Sequence, residues 1–165
     1  MAHKVLDDLF HDTLKDIYYA ERQILKALPK MARGAQSDRL RKAFEKHREE
    51  TEIHVERLQQ VFEILGKAAR GKTCPAIDGI IEEGEEILEE FKGQPALDAG
   101  LAAAAQAVEH YEISRYGTLK RWAQVMGLKD AVKLFDATLK EETLTDETLT
   151  KLADQVANAK ALKAA

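Results

Sequence analysis

Residues 14–28 read LKDIYYAERQILKAL, a stretch in which apolar residues recur at alternating intervals of three and four positions. Side chains on this spacing lie along one stripe of an α-helix, which is the stripe that a bundle helix buries. The stripe contains Leu14, Ile17, Ile24 and Leu28. Glu21 stands in its middle, and an unpaired buried carboxylate costs several kcal/mol. The stretch therefore predicts a helical bundle with polar chemistry in its interior.

The composition indicates a single soluble domain spanning residues 1–165. The 25 basic and 29 acidic residues give a net charge of -4, and this balance argues against the basic surface typical of nucleic-acid binding. Cys74 is the only cysteine, which favours a reducing compartment. The chain opens without a signal sequence, and no apolar run reaches the roughly 20 residues that cross a bilayer. We expect a cytoplasmic protein that binds neither nucleic acid nor a membrane.

Long stretches rich in Ala, Leu, Glu and Lys, with almost no alternating β-branched residues, predict an all-α protein. Four long helices and one short helix are expected, over residues 4–33, 37–66, 75–92 (short), 96–126 and 129–158. Pro29 is expected to bend the end of the first helix, and Ser37 or Asp38 can cap the second. Three glycines stand where helices should end, at Gly34, Gly66 and Gly127.

The connections between the helices predict the topology. Short links join the first long helix to the second and the third to the fourth, so each pair forms an antiparallel hairpin, whereas a long crossover joins the two pairs. This arrangement is a ferritin-like four-helix bundle whose crossover carries the extra short helix. Apolar side chains of the crossover are expected to be exposed and to form the contact of a homodimer. They are Ile77, Ile80, Ile81 and Phe91.

Acidic residues stand near the middle of every long-helix seam, and two histidines accompany them in the second helix. The set is Glu21, His47, Glu50, His54, Glu109, Glu112, Glu142 and Asp146. Lys and Arg fall on the other helix faces, so shared protons or bound cations must offset the charge. Mixed oxygen and nitrogen donors suit iron or manganese. The pattern predicts two iron ions, with manganese as the alternative.

Bundle proteins with two metal ions use one Glu from each of two helices and a Glu-x-x-His pair from each of the other two. This chain departs from that pattern, because Glu50 and Glu142 are not followed by histidine three positions later. His47 and His54 both lie on the correct face to supply an imidazole, and Asp146 is the available substitute in the last helix.

The predicted ligand roles follow from these positions. Glu50 and Glu142 are expected to bridge the two ions, while His47 or His54, together with Asp146, completes the coordination. The terminal ligands are expected to be Glu21 with Glu109 or Glu112. A different reading makes Glu109 and Glu112 an acid pair at an interface.

Five segments of the chain resemble the YciF family of bacterial ferritin-like proteins. They are LKDIYYAERQ from Leu14, HREET from His47, TCPA from Thr73, VEHYEI from Val108 with Tyr-Gly at Tyr116, and EETLTD from Glu141. The resemblance implies a rubrerythrin-like or ferritin-like bundle, a homodimer and a link to stress responses, without an established biochemical activity. The resemblance implies that the family motif uses His47 as the ligand, which leaves His54 as the alternative.

Two functional hypotheses result. In the first, the protein holds two iron or manganese ions that react with oxygen or peroxide, or it stores the metal, during stress. Repeated reduction would then need an external electron donor, because the chain lacks a cysteine quartet for a rubredoxin-like centre. In the second, the protein is a non-catalytic helical scaffold or dimerisation module whose carboxylates share protons.

Overall fold

The computed structural model describes residues 3–162, and over this range the chain forms helices and turns without a β-strand. The helices are α1 (Leu6–Gly34), α2 (Asp38–Ile64), α3 (Pro75–Glu90), α4 (Leu97–Val125), α5 (Lys129–Leu152) and, after a π-helical turn (Ala153–Ala157), α6 (Asn158–Leu162). The all-α prediction is confirmed. The last predicted helix is interrupted, since its α-helical part ends at Leu152 and the chain continues through the π-helical turn.

Helices α2 and α4 end just before glycines, as predicted. Gly66 and Gly127 adopt φ values of 64° and 72°, a left-handed conformation that residues with a Cβ rarely adopt. Pro29 lies within α1, which continues through it to Gly34.

The turn between α1 and α2 is held by a residue of another helix. Ser37 occupies the N-cap position of α2, but its side chain makes no capping hydrogen bond. Instead, the backbone amides of Gln36 and Ser37 each donate to the carboxylate of Asp98 at 2.8 Å. Because Asp98 lies in the first turn of α4, this contact ties the first hairpin to the second.

The four long helices form the bundle, in which α1 packs on α2 and α4, and α5 packs on α2 and α4. The crossover helix α3 lies against α1 and α4. Its approach to α4 is close, because a Cβ placed on Gly100 would lie 2.7 Å from Ile87 Cγ2. The ferritin-like four-helix bundle with an extra crossover helix is therefore confirmed.

The buried stripes have the predicted phase. On α1, Phe10, Leu14 and Ile17 are fully buried. The prediction that the apolar side chains of α3 are exposed is wrong for Ile77, which is fully buried. Ile80 and Ile81 are half-buried against the core, because α3 turns its apolar side towards α1 and α4. Phe91 is the exception and is 41% exposed.

Within the described part of the chain, no helix combines the length and the apolar character required to cross a membrane.

Candidate metal centre

Six acidic and histidine side chains meet in the middle of the bundle. Each is at most 4% exposed, and together they come from all four long helices. They are Glu21 of α1, His47 and His54 of α2, Glu109 and Glu112 of α4, and Glu142 of α5. Histidines seven positions apart and glutamates three positions apart lie on the same face of their helices, so the helical period itself directs them to one place.

The six residues form two groups of four, and within each group one ligand atom per residue lies within 4.8 Å of the others. The first group is Glu21, His54, Glu112 and Glu142. The second group is His47, Glu109, Glu112 and Glu142. Each group therefore offers three carboxylates and one imidazole, and Glu112 and Glu142 belong to both. Two cations placed in these groups would share two carboxylates.

The atoms that face one another in these groups lack hydrogen-bond partners. Among the described residues, nine buried side-chain nitrogen and oxygen atoms have none, and all nine belong to these six side chains. His47 Nε2 lies 2.9 Å from Glu109 Oε1, and His54 Nδ1 lies 2.9 Å from Glu142 Oε1, yet neither contact has hydrogen-bond geometry. Buried polar atoms are almost always satisfied in proteins. The donor set therefore fits cations.

Each imidazole has a second carboxylate on its outer side. His54 Nε2 lies 2.8 Å from Glu141 Oε2, and Arg57 holds that carboxylate with two contacts of 2.6 and 2.9 Å. His47 Nδ1 lies 3.9 Å from Glu50 Oε2. Histidines that bind metals commonly donate the other ring N–H to a carboxylate, which fixes the tautomer and the ring orientation. The contact with Glu141 thereby directs the inner nitrogen of His54, Nδ1, at the first group. The 3.9 Å between His47 Nδ1 and Glu50 is too long for a hydrogen bond, and His47 Nδ1 has no partner.

Glu21 is oriented by a buried tyrosine. The hydroxyl of Tyr116 donates a hydrogen bond to Glu21 Oε1, which leaves Glu21 Oε2 without a partner. Burial raises the pKa of Tyr116 well above its usual value, and the charge of Glu21 raises it further. The tyrosine therefore stays protonated and acts as a donor.

Without cations, the centre holds protons. Burial raises the pKa of Glu109 to about 8, although His47 acts to lower it. Burial and the charge of Glu142 raise the pKa of Glu112 well above its usual value. Burial alone would lower the pKa of His54, but the adjacent carboxylates of Glu142 and Glu21 raise it to about 10. Cations that enter these groups must displace protons.

The structure brings together five of the seven residues predicted as ligands and adds the alternative histidine. The five are Glu21, His47, Glu109, Glu112 and Glu142. His54 lies in one group and His47 in the other, so both histidines lie beside the clustered carboxylates. The sequence already indicated that both histidines could belong to the centre, because a spacing of seven residues keeps them on one face of the helix.

Glu50 and Asp146 lie outside both groups. Each projects about 40–60° around the helix axis from the group residues of its own helix, at 100° per residue, and their side chains are 20% and 21% exposed. Glu50 is paired with Lys46 at 2.8 Å, while Asp146 contacts His110 at 3.1 Å. Glu112, and not Glu50, belongs to both groups together with Glu142, and each group contains a histidine where Asp146 was expected in one of them.

The outer pair of Glu141 and Arg57 was missed by the sequence reasoning. Glu141 adjoins Glu142 in a run of acids, and nothing in the sequence distinguishes an acid beside the seam from a solvated one. Only the packing of α5 against α2 shows that Glu141 reaches His54.

Comparison with known proteins gives consistent matches over nearly the whole chain. Residues 5–162 match the family described as domain of unknown function DUF892. Protein YciF of Escherichia coli (strain K12) is 45% identical over 163 residues, which cover 98% of each chain.

Solved structures agree with this match. The crystal structure of the E. coli stress protein YciF superposes with a TM-score of 0.90 at 43% identity, covering 94% of this chain and 99% of that one. A protein from Rhodopseudomonas palustris, described as YcfI, a putative structural protein, gives a TM-score of 0.87 at 47% identity, covering 89% and 94%. A protein from Xanthomonas campestris pv. campestris, 20% identical with a TM-score of 0.73 over 94% and 95%, shares the fold alone.

Proposed function

The chain belongs to the DUF892 family and is a YciF-like protein, and on this premise we propose that it is a dinuclear metal protein of the stress response. The observation that supports the proposal is the pair of four-residue groups that share Glu112 and Glu142 and contain all nine unpartnered buried atoms. This proposal replaces the bridging role expected of Glu50 with Glu112.

Charge supports two divalent ions. The four carboxylates of the two groups carry four negative charges when ionised, and two divalent cations balance them while the imidazoles remain neutral. Leaving this charge unbalanced in the interior would cost several kcal/mol per carboxylate. Three carboxylates and one imidazole per ion form a harder site than the sulfur-rich or histidine-rich sets that favour zinc or copper. We propose iron, with manganese as the alternative.

The residues of this chain would hold the ions and control protons around them. Two ferrous ions would supply two electrons, enough to reduce dioxygen to the level of hydrogen peroxide while both become ferric. Four residues per ion are fewer than the six positions of an octahedral ion, so small ligands could reach the centre. Glu141 and Arg57 keep the tautomer of His54 fixed.

Repeated turnover by reduction needs an external electron donor, because Cys74 is the only cysteine of the chain. Disproportionation of peroxide would need no donor. With its single buried thiol, the protein is proposed to act in the cytoplasm. We also propose a homodimer, in which the exposed ring of Phe91 is one contact.

Metal analysis of protein prepared without chelator tests the proposal. We expect two ions per chain in the native protein after addition of ferrous or manganous ions, and fewer than one in Glu112→Gln, which removes a ligand from both groups. Glu49→Gln, an exposed position on α2, is the matched control and should keep two. Less than one ion per native chain, without thermal stabilisation by either metal, would contradict the proposal.

The alternative function is a non-catalytic scaffold, and the description of the R. palustris relative as a putative structural protein favours considering it. In a scaffold, protons alone would neutralise the carboxylates. Glu21→Gln would then leave the protein as stable as before or more stable, since it removes a buried charge. In the metal protein, the same change should abolish binding in the first group, which isothermal titration measures.

A further inference from the structure

A small, mostly apolar cavity lies inside the bundle beneath α3, is lined by residues of α1 to α5, and reaches one of the two ligand groups. Its volume is about 30 Å³, and a water molecule needs roughly 10–15 Å³ by this measure. Aliphatic residues that line it include Ile24, Leu28, Ile80, Leu88 and Val108. The cavity has room for a molecule of two or three atoms and is too small for a chain.

The cavity has charged side chains at its solvent end and polar ligand residues at its inner end, and Thr145 of α5 also lines it. Lys30 and Glu85 pair with each other at 2.6 Å and are exposed, which places them at the solvent end. His47 and Glu109, both buried, also line the cavity and belong to the second ligand group. The cavity therefore extends from an exposed ion pair to the ligands, with apolar walls between them.

None of the four residues of the first ligand group lines this cavity. Glu21 and His54 are fully buried and do not line the cavity. The ring of His54 lies 6.4 Å from that of Tyr116, which in turn packs 6.2 Å from Phe135. Access along the cavity is thus restricted to the side of His47 and Glu109.

We propose that this cavity binds dioxygen and admits it to the His47–Glu109 side of the centre, an inference that rests on the proposed metal function. Dioxygen is diatomic and apolar, so it gives up no hydrogen bonds on entering the apolar section. Water and hydrogen peroxide would have to leave their hydrogen bonds behind, at a cost of a few kcal/mol. The cavity therefore favours dioxygen over peroxide as the oxidant.

The space depends on small residues where α3 faces α4. Gly84 and Ala104 both line the cavity, and a Cβ on Gly84 would lie 3.5 Å from the Ala104 Cβ, an ordinary contact. Ala104→Leu should fill the cavity without touching a ligand. Ala103→Leu, on the exposed side of α4, is the matched control, and Gly84→Met is a second filling variant.

Xenon and oxidation rates test the proposal together. Crystals pressurised with xenon should show the atom in the cavity of the native protein and of Ala103→Leu, but not of Ala104→Leu or Gly84→Met. In ferrous-loaded protein, a filled cavity that is open one-tenth of the time lowers the rate constant with dioxygen roughly tenfold, while two ions remain bound.

Two results would overturn the proposal: a native cavity without xenon, or oxidation by dioxygen at an unchanged rate in both filled variants. A native protein that binds no metal would instead contradict the proposed function, and the xenon experiment would still decide whether the cavity accepts an apolar gas. If Ala104→Leu does not fold, Gly84→Met carries the same comparison.

Discussion

Replacing Glu141 with Gln should weaken metal binding in the group that contains His54 without touching a ligand. The carboxylate of Glu141 lies 2.8 Å from His54 Nε2 and is held by both terminal nitrogens of Arg57. Gln keeps an oxygen that accepts the ring N–H but loses the charge that makes the imidazole a stronger donor to a cation. The geometry of the ring is therefore preserved while its affinity for the metal falls.

Changes in such outer carboxylates typically lower metal affinity 10–100-fold, which corresponds to about 1.4–2.8 kcal/mol. The upper half of this range is expected here, because the contact is short and the uncompensated charge of Arg57 remains beside the site. Isothermal titration with manganous ions, fitted to two sites per chain, should show one site weakened and the other nearly unchanged.

Glu50→Gln is the comparison, because Glu50 lies 3.9 Å from the outer nitrogen of His47 and is also paired with Lys46. Its effect on the other site should be several-fold smaller than that of Glu141→Gln. Equal losses in the two variants, or an unchanged isotherm for Glu141→Gln, would refute the assignment of Glu141 as the residue that orients His54.

Three further outcomes are expected. Metal-free protein should lose stability as the pH rises from 6.5 to 10, because the pKa of His54 is about 10 in the folded protein and 6.5 in the unfolded chain. The stabilisation is complete below pH 6.5 and is lost as the pH approaches 10. Melting temperatures measured in chelator that stay constant over this range would contradict it. Gly127→Ala should cost about 1–2 kcal/mol, because φ is 72° there, and a denaturation midpoint equal to that of the native protein would contradict this. Asp98→Ala should cost about 1–3 kcal/mol in the same assay, since it leaves two amides before α2 without their acceptor, whereas Asp98→Asn should recover part of the loss.

Much of the fold could be predicted because the apolar period is long and regular. The stripe of α1 has one phase over almost thirty residues, so the burial of Glu21 followed from its neighbours. The helix ends at Gly66 and Gly127 could also be predicted, because glycine adopts the left-handed conformation that ends a helix whatever the tertiary structure around it.

The details of the centre could be predicted only in part. Which acid belongs to both groups depends on how far each helix is rotated about its axis, and about 40–60° separates Glu50 and Asp146 from the group residues of their own helices. A single helix does not set that rotation, since it results from the packing of α2 and α5 against their neighbours. The burial of Ile77 could not be predicted for the same reason, because it depends on how α3 packs against α1 and α4.

The origin of the group residues in both hairpins has a mechanical consequence. Each group combines residues of the α1–α2 hairpin with residues of the α4–α5 hairpin, so an ion bound in either group fastens the two halves of the bundle together. At the end of the molecule, Asp98 already ties the same halves. In loaded protein, the hairpins cannot swing apart without releasing an ion, and amide hydrogens facing the seam between them should exchange with solvent at a rate set by ion departure.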